Sequence, residues 1–256
     1  MKIIDSFLFF KELDLLEVRL RTLWDHVDKF IFLECDHTFV NTPKPFYFDE
    51  VKERFNWARD KIVHCKHKGK FHSMGGDLDI ENQQREMLYH MCVDMGYADD
   101  DVLLIGDSDE ILSREAVQGL RKGFDAPTIF DMDMYYYNVH CPRGITWQGT
   151  VATRFGNKFK SIGDMRVNRH MMANRRKGGW HFSYFYDIEG IQEKLKSFAH
   201  TGYSHGKYVD PTHIKDCIAA NRNLLEKKDG VEVFDPLPEY VMCEMRKFPR
   251  FVGVYD

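Results

Sequence analysis

A chain of 256 residues with 43% hydrophobic and 14% aromatic content can bury a substantial core, and these proportions exclude intrinsic disorder. A net charge of -4 excludes a strong whole-molecule field for nucleic acid and leaves only local patches. Six cysteines, at 35, 65, 92, 141, 217 and 243, form no Cys-x-x-Cys pair, which argues against a zinc knuckle or a disulfide framework and for reduced thiols.

The N-terminal Met1-Lys-Ile-Ile-Asp-Ser-Phe runs directly into domain-like sequence, and no signal peptide or membrane span is read from it; the expectation is a soluble, cytoplasmic protein. Ile3 to Phe10 predicts a first strand, and Leu13, Leu15, Leu16, Val18, Leu20, Leu23 and Trp24 recur at helical spacing. Phe30 to Leu33 is a second buried strand, so a right-handed crossover is expected between the two. Thr42-Pro-Lys-Pro45 marks a loop, 49–60 looks helical, and Lys61 to Cys65 is a third strand candidate. Gly69, Gly75 and Gly76 predict a long mobile loop over 66–79. His64 and His67 could bind a metal, but no His-Glu pairing supports them. A helix is predicted over 80–95, ending at Gly96, with Arg85 off its apolar stripe and by position a solvated residue.

The segment 101–113, Asp-Val-Leu-Leu-Ile-Gly-Asp-Ser-Asp-Glu-Ile-Leu-Ser, organises the chain. Val102 to Ile105 is an uninterrupted apolar run, as in a strand buried on both faces, and Ser113 can cap a helix beginning at Arg114. Between them stand Asp107, Asp109 and Glu110, at the carboxyl end of a strand, where ligands bind in open α/β sheets. Alternate carboxylates on such a turn can hold a divalent cation together with phosphate oxygens. An acidic turn that only solubilises the strand end fits the same pattern, since Asp-x-Asp also occurs at 77/79, 99/101 and 131/133.

Thr128 to Asn138 predicts an aromatic-rich strand with Asp131 and Asp133 on one face. These are acid/base candidates if that face lines a cleft, and solvated side chains otherwise. Thr150 to Phe155 is a further strand candidate. Residues 154–177 carry eight Lys/Arg against one acidic residue, which suits a solvated loop or a basic flap over a diphosphate or an anionic acceptor. Paired Gly178 and Gly179 allow close backbone approach before Trp180 and His181, a histidine that in isolation reads as a core residue. Helices are predicted over 188–198 and 213–228, followed by a tail opened by Pro236 and Pro238.

Five blocks in order, Asp5-Ser-Phe-Leu-Phe-Phe-Lys-Glu-Leu-Asp-Leu-Leu-Glu-Val-Arg-Leu, Asp28-Lys-Phe-Ile-Phe-Leu-Glu, Asp101-Val-Leu-Leu-Ile-Gly-Asp-Ser-Asp-Glu-Ile, Trp147-Gln-Gly and Gly179-Trp-His-Phe-Ser, resemble glycosyltransferase family 17 over about residues 3–200. The resemblance implies an α/β fold of the GT-A type, with a mixed, mostly parallel central sheet flanked by helices. The length leads us to expect a single domain over 1–256, with two closely joined lobes as the alternative and 200–256 as a helical extension. The resemblance also implies an inverting transfer from a UDP-sugar, with N-acetylglucosamine as the expected sugar, to a hydroxyl of a glycan or other acceptor. Mn²⁺ or Mg²⁺ is the implied cofactor, with Asp107, Asp109 and His181 as its ligands. Asp107, Asp109, Arg85 and Trp180 are placed with the donor, and Asp133, Asp131 and Glu110 are the candidates for the catalytic carboxylate. A nucleotidyltransferase using the same kind of carboxylate site is the alternative, as is a glycosyltransferase for which modified nucleic acid is the acceptor. Oligomeric state is not legible.

Overall fold

The computed structural model describes residues 1–255 apart from 74, 75, 77, 158, 160 and 198–200. Gly75, Asp77, Lys158, Lys160 and Phe198, on which the sequence patterns partly drew, therefore lie outside the described residues. The elements are β1 (Ile3–Phe9), α1 (Leu13–Leu23), β2 (Lys29–Cys35), α2 (Tyr47–Val51), β3 (Ile62–His67), α3 (Asp79–Asp94), β4 (Val102–Asp107) and β5 (Glu110–Ile111). They continue with α4 (Arg114–Arg121), β6 (Thr128–Tyr136), β7 (Pro142–Arg154), α5 (Ile162–Val167), β8 (Arg175–Ser183), α6 (Ile188–Ser197), α7 (Pro211–Ala219) and α8 (Glu239–Met245).

Among the described residues eight strands form one sheet in the order β3-β2-β1-β4-β7-β6-β8-β5. The pairs β1–β2, β1–β4, β2–β3 and β6–β8 are parallel; β4–β7, β6–β7 and β5–β8 are antiparallel. This is the mixed sheet, flanked by helices, that the sequence predicted. The apolar run of β4 is explained by helices on both faces. Val102 and Leu104 pack with Leu16, Leu20, Val117 and Leu120 of α1 and α4, while Leu103 and Ile105 pack with Leu88 and Cys92 of α3 and Ile162 of α5.

Several boundaries differ from the predicted ones. The helix placed at 213–228 ends at Ala219, and Asn221 and Glu226 have φ of 48° and 55°, which a continued helix does not allow. The tail after Pro238 contains α8, whose Val241 and Met245 join Leu15 and Val18 of α1 in a core cluster with Trp180 and Phe182. Residues 175–183, not predicted as an element, form β8, and β7 begins eight residues before the predicted Thr150. No helix among the described residues is long and apolar enough to cross a membrane.

Arg19 joins the first helix to the turn after β4. It is 1% exposed, donates Nε and Nη2 to the two Asp5 oxygens at 2.7 and 2.6 Å, and donates Nη1 to the carbonyls of Asp107 and Glu110 at 2.7 Å each. Replacing it by an apolar residue strands Asp5 as an unpaired buried charge. Arg19→Met is therefore expected to lose about 3–5 kcal/mol in urea unfolding. Arg19→Lys should recover little of this, because an ammonium cannot reproduce the planar fork.

Candidate active site

Strand β4 delivers Asp107 at its carboxyl end beside Leu8 of β1, and the turn Ser108-Asp109 leads into β5. A cleft of about 930 Å³, including the solvent at its mouth, opens there, lined in part by Asp107, Asp109, Arg85, His181, Lys194 and Glu12. Asp107 and Asp109 are thus in the cleft, as the sequence pattern suggested. The cap on the following helix is also present: Ser113 Oγ accepts from Ala116 N at 3.1 Å.

His181 reaches Asp109 through backbone pairing. Glu110 pairs with His181 and Ile111 with Trp180 across β5 and β8, and Phe182 N donates to the Asp109 carbonyl at 2.9 Å. This approach requires a residue without Cβ at position 179. Gly179 has φ of +117°, and a Cβ there would lie 2.5 Å from the Ile111 carbonyl oxygen. Gly178 would likewise place a Cβ 2.5 Å from that of Ala116, so both glycines serve the close packing read from their pairing.

Each aspartate of the turn is held by cations. Asp107 accepts from Arg85 Nη2 at 2.5 Å on one oxygen and from Arg166 Nη2 at 2.9 Å on the other. Asp109 accepts from Lys194 Nζ at 2.8 Å, and its other oxygen lies 3.4 Å from His181 Nε2. Burial raises both carboxyls, but Arg85 and Arg166 at Asp107, and Lys194 and His181 at Asp109, outweigh it and hold both well below the usual carboxylate range. Both are ionised at neutral pH. Arg85, by helical position a solvated residue, is instead buried, because it reaches both Asp107 and Glu81.

Glu110 lines no part of this cleft. Its carboxylate is fully buried and accepts from Trp147 Nε1 at 2.8 Å, Thr150 Oγ1 at 3.1 Å, Arg166 Nη2 at 2.9 Å and Asp107 N at 3.1 Å, so it braces the turn from behind. Asp131 and Asp133 are also elsewhere. Met134 pairs with His181 in register, while Asp133 pairs with Trp180. Side chains alternate along a strand, so Asp133 and Trp180 point to the face opposite His181. There Trp180 packs with Tyr240, Phe182 and Tyr135, and burial pushes the Asp133 carboxyl up. Asp131 lies at the surface, paired with Arg175 at 2.8 Å. The expected grouping of Asp131, Asp133 and Trp180 with the donor turn is not what the structure brings together.

Among its described residues, five arginines of the basic stretch are engaged by the protein itself. Arg166 is buried behind the turn and Arg169 donates to the Gln148 carbonyl, whereas Arg154, Arg175 and Arg176 are engaged by the Asp100 carbonyl, Asp131 and the Gly123 carbonyl. His64 Nε2 lies 2.9 Å from the carboxylate oxygen Oε2 of Glu34, and His67 packs on Phe71; among the described residues neither joins a metal cluster. Sequence reasoning missed Glu12 and Lys194, which reach the cleft from the β1–α1 connection and from the last turn of α6. Glu12 falls within the first of the blocks that carry the family resemblance, which could have drawn attention to it, whereas the signal for Lys194 is three-dimensional.

The residues can be tested against a divalent ion. No group of three or more His, Cys, Asp or Glu among the described residues is disposed to hold one. Asp107 has both oxygens engaged by guanidinium groups. Asp109 and His181 do converge, and His181 Nδ1 is a buried nitrogen with no hydrogen-bond partner. These two residues suit a cation whose remaining ligands are phosphate oxygens and water.

The sequence profile of glycosyltransferase family 17 matches residues 1–245. The human and rat β-1,4-mannosyl-glycoprotein 4-β-N-acetylglucosaminyltransferases are each 27% identical over 242 residues, covering 78% of this chain and 44% and 43% of their own. The chain spans less than half the length of these relatives. Among solved structures, the glycosyltransferase GlyE of Streptococcus pneumoniae TIGR4 aligns with a TM-score of 0.35 and 11% identity, over 73% of this chain and 46% of that one, a likeness too slight to carry weight. The match of the family profile across nearly the whole chain decides the matter: this protein belongs to glycosyltransferase family 17.

Proposed function

We propose that this chain transfers N-acetylglucosamine from its UDP-sugar to a hydroxyl of a glycan acceptor, with inversion at the anomeric carbon. The observation that carries the reading is the Asp107–Asp109 turn at the carboxyl end of β4, open to a cleft and flanked by the cations Arg85 and Lys194, in a chain of this family. The sugar and the glycan acceptor are taken from the names of the relatives.

Breaking the bond between sugar and diphosphate leaves negative charge on the departing phosphate, and fixed cations beside it stabilise that charge as it develops. The bond of Arg85 to Asp107, on the cleft, supports this role for it. Asp109 and His181 would hold Mn²⁺ or Mg²⁺, which supplies further neutralisation of the same charge. Inversion in one displacement needs a carboxylate to take the proton of the attacking hydroxyl. Glu110 is sealed and Asp131 and Asp133 face elsewhere, so the role passes to Glu12, which lines the cleft and whose Oε2 accepts from the backbone N–H groups of Phe10 and Lys11, at 3.2 and 3.1 Å. Glu81, the other glutamate on the cleft, is committed to Arg85 at 2.5 Å.

Incubation with a panel of nucleotide sugars and Mn²⁺ is expected to release free UDP from UDP-N-acetylglucosamine; release of pyrophosphate would instead reveal a nucleotidyltransferase. Asp109→Ala should lower turnover by about a hundredfold or more, the scale of losing a charge-stabilising group. Glu12→Gln should lower kcat by a similar factor of about a hundred while leaving donor binding intact, as for a lost general base. Asp133→Asn should keep turnover within about threefold of the parent, since it perturbs a distant face; a loss as large as that of Glu12→Gln would return the base to Asp133.

A further inference from the structure

Lys194 sits in the last turn of α6 with its side chain 12% exposed, an unusual place for an ammonium, which favours water unless it is paired. Its Nζ lies 2.8 Å from Asp109 Oδ2 and 3.7 Å from Glu12 Oε1, with the Tyr184 and Tyr186 ring centroids 5.9 and 5.6 Å away. The second carboxylate is too far for a direct hydrogen bond, and an ammonium carries three donors. Lys194 also lines the cleft, as Arg85 does from α3, so on the cleft side the turn is bracketed by Arg85 at Asp107 and Lys194 at Asp109.

The other cations near the site do not have this position. Arg166 is enclosed behind the turn by Asp107, Glu110 and the Gly149 carbonyl, and Lys44 is drawn to Glu34 at 3.3 Å. We propose that Lys194 is a diphosphate-binding residue: it is the counter-ion of Asp109 in the ligand-free protein and passes its charge to the donor diphosphate when the nucleotide enters. The inference rests on the nucleotide-sugar reading above. It gives the turn two fixed anchors for two phosphoryl groups, Arg85 and Lys194, and it keeps the buried carboxylate of Asp109 paired before the donor arrives.

The test is calorimetric titration of uridine and of UDP, in Mn²⁺, into the parent protein, Lys194→Met and Lys194→Arg. Lys194→Met is expected to weaken UDP by about 10- to 100-fold, the range for a charged hydrogen bond. Uridine binding should be unchanged, and Lys194→Arg should recover part of the loss. Equal weakening of uridine and UDP, or UDP binding at the parent's affinity, overturns the assignment. If the parent binds UDP no more tightly than uridine, the nucleotide-sugar reading fails and takes the assignment with it; UDP binding that Lys194→Met retains defeats the Lys194 role alone. Because Lys194→Met leaves Asp109 unpaired, UDP binding in EDTA is also compared between Asp109→Asn and Asp109→Asn/Lys194→Met, where no carboxylate is left at position 109. The double variant is expected to bind UDP about 10-fold or more weakly than Asp109→Asn, and equal binding overturns the assignment.

Discussion

The site depends first on the buried guanidinium of Arg19. The turn after β4 is distant in sequence from strand β1 and helix α1, and this one side chain ties all three together through Asp5 and the Asp107 and Glu110 carbonyls. A tight turn bearing three carboxylates repels itself and leaves carbonyls without partners. Arg19 answers both problems from beneath, since its fork supplies several donors in one plane and its charge opposes the acidic cluster above. The guanidinium also lies 4.2 Å from the Phe7 ring centroid, so it is packed as well as paired.

Above this support the charges are arranged in alternation. Arg166 stands between Asp107 and Glu110, Arg85 between Asp107 and Glu81, and Lys194 between Asp109 and Glu12. Buried charges in such a network persist because removing any one leaves another uncompensated, which costs more than the pair contributes. Burial lowers the ease of ionising Lys194, yet Asp109 and Glu12 outweigh it and hold the ammonium above its ordinary range. The diphosphate proposed as ligand would meet cations already charged and already oriented, so that little reorganisation would be needed on binding.

Much of the frame was legible. The apolar runs of β1, β2 and β4 and the 3.6-residue periodicity of α1 and α3 are local consequences of burial, and they survive in the sequence as patterns. The acidic turn stood out for the same reason: it follows a doubly buried strand and precedes a capped helix. The face of β6 was not legible in its consequences. Alternation correctly set Asp131 and Asp133 apart from Met132 and Met134, but which face meets the cleft is decided by the register of β6 against β8, a pairing between segments about 45 residues apart in which bulges interrupt the count. Arg85 was named with the donor by the family resemblance, while its helical position alone reads as solvated, because a helical wheel cannot see that a partner carboxylate waits on a neighbouring strand.

The sequence by itself determined the α/β class, the family and the aspartates of the turn, since these rest on local patterning and on motifs that stand contiguous in the chain. Only the tertiary structure decided that His181 meets Asp109 through the β5–β8 pairing, that Glu110 is a brace, that Arg85 is buried against Asp107, and that Glu12 and Lys194 complete the cleft. The physical reason is that a buried ion pair is selected by proximity in space. Its members carry no shared spacing along the chain, and their meeting depends on how strands and helices pack after each has formed.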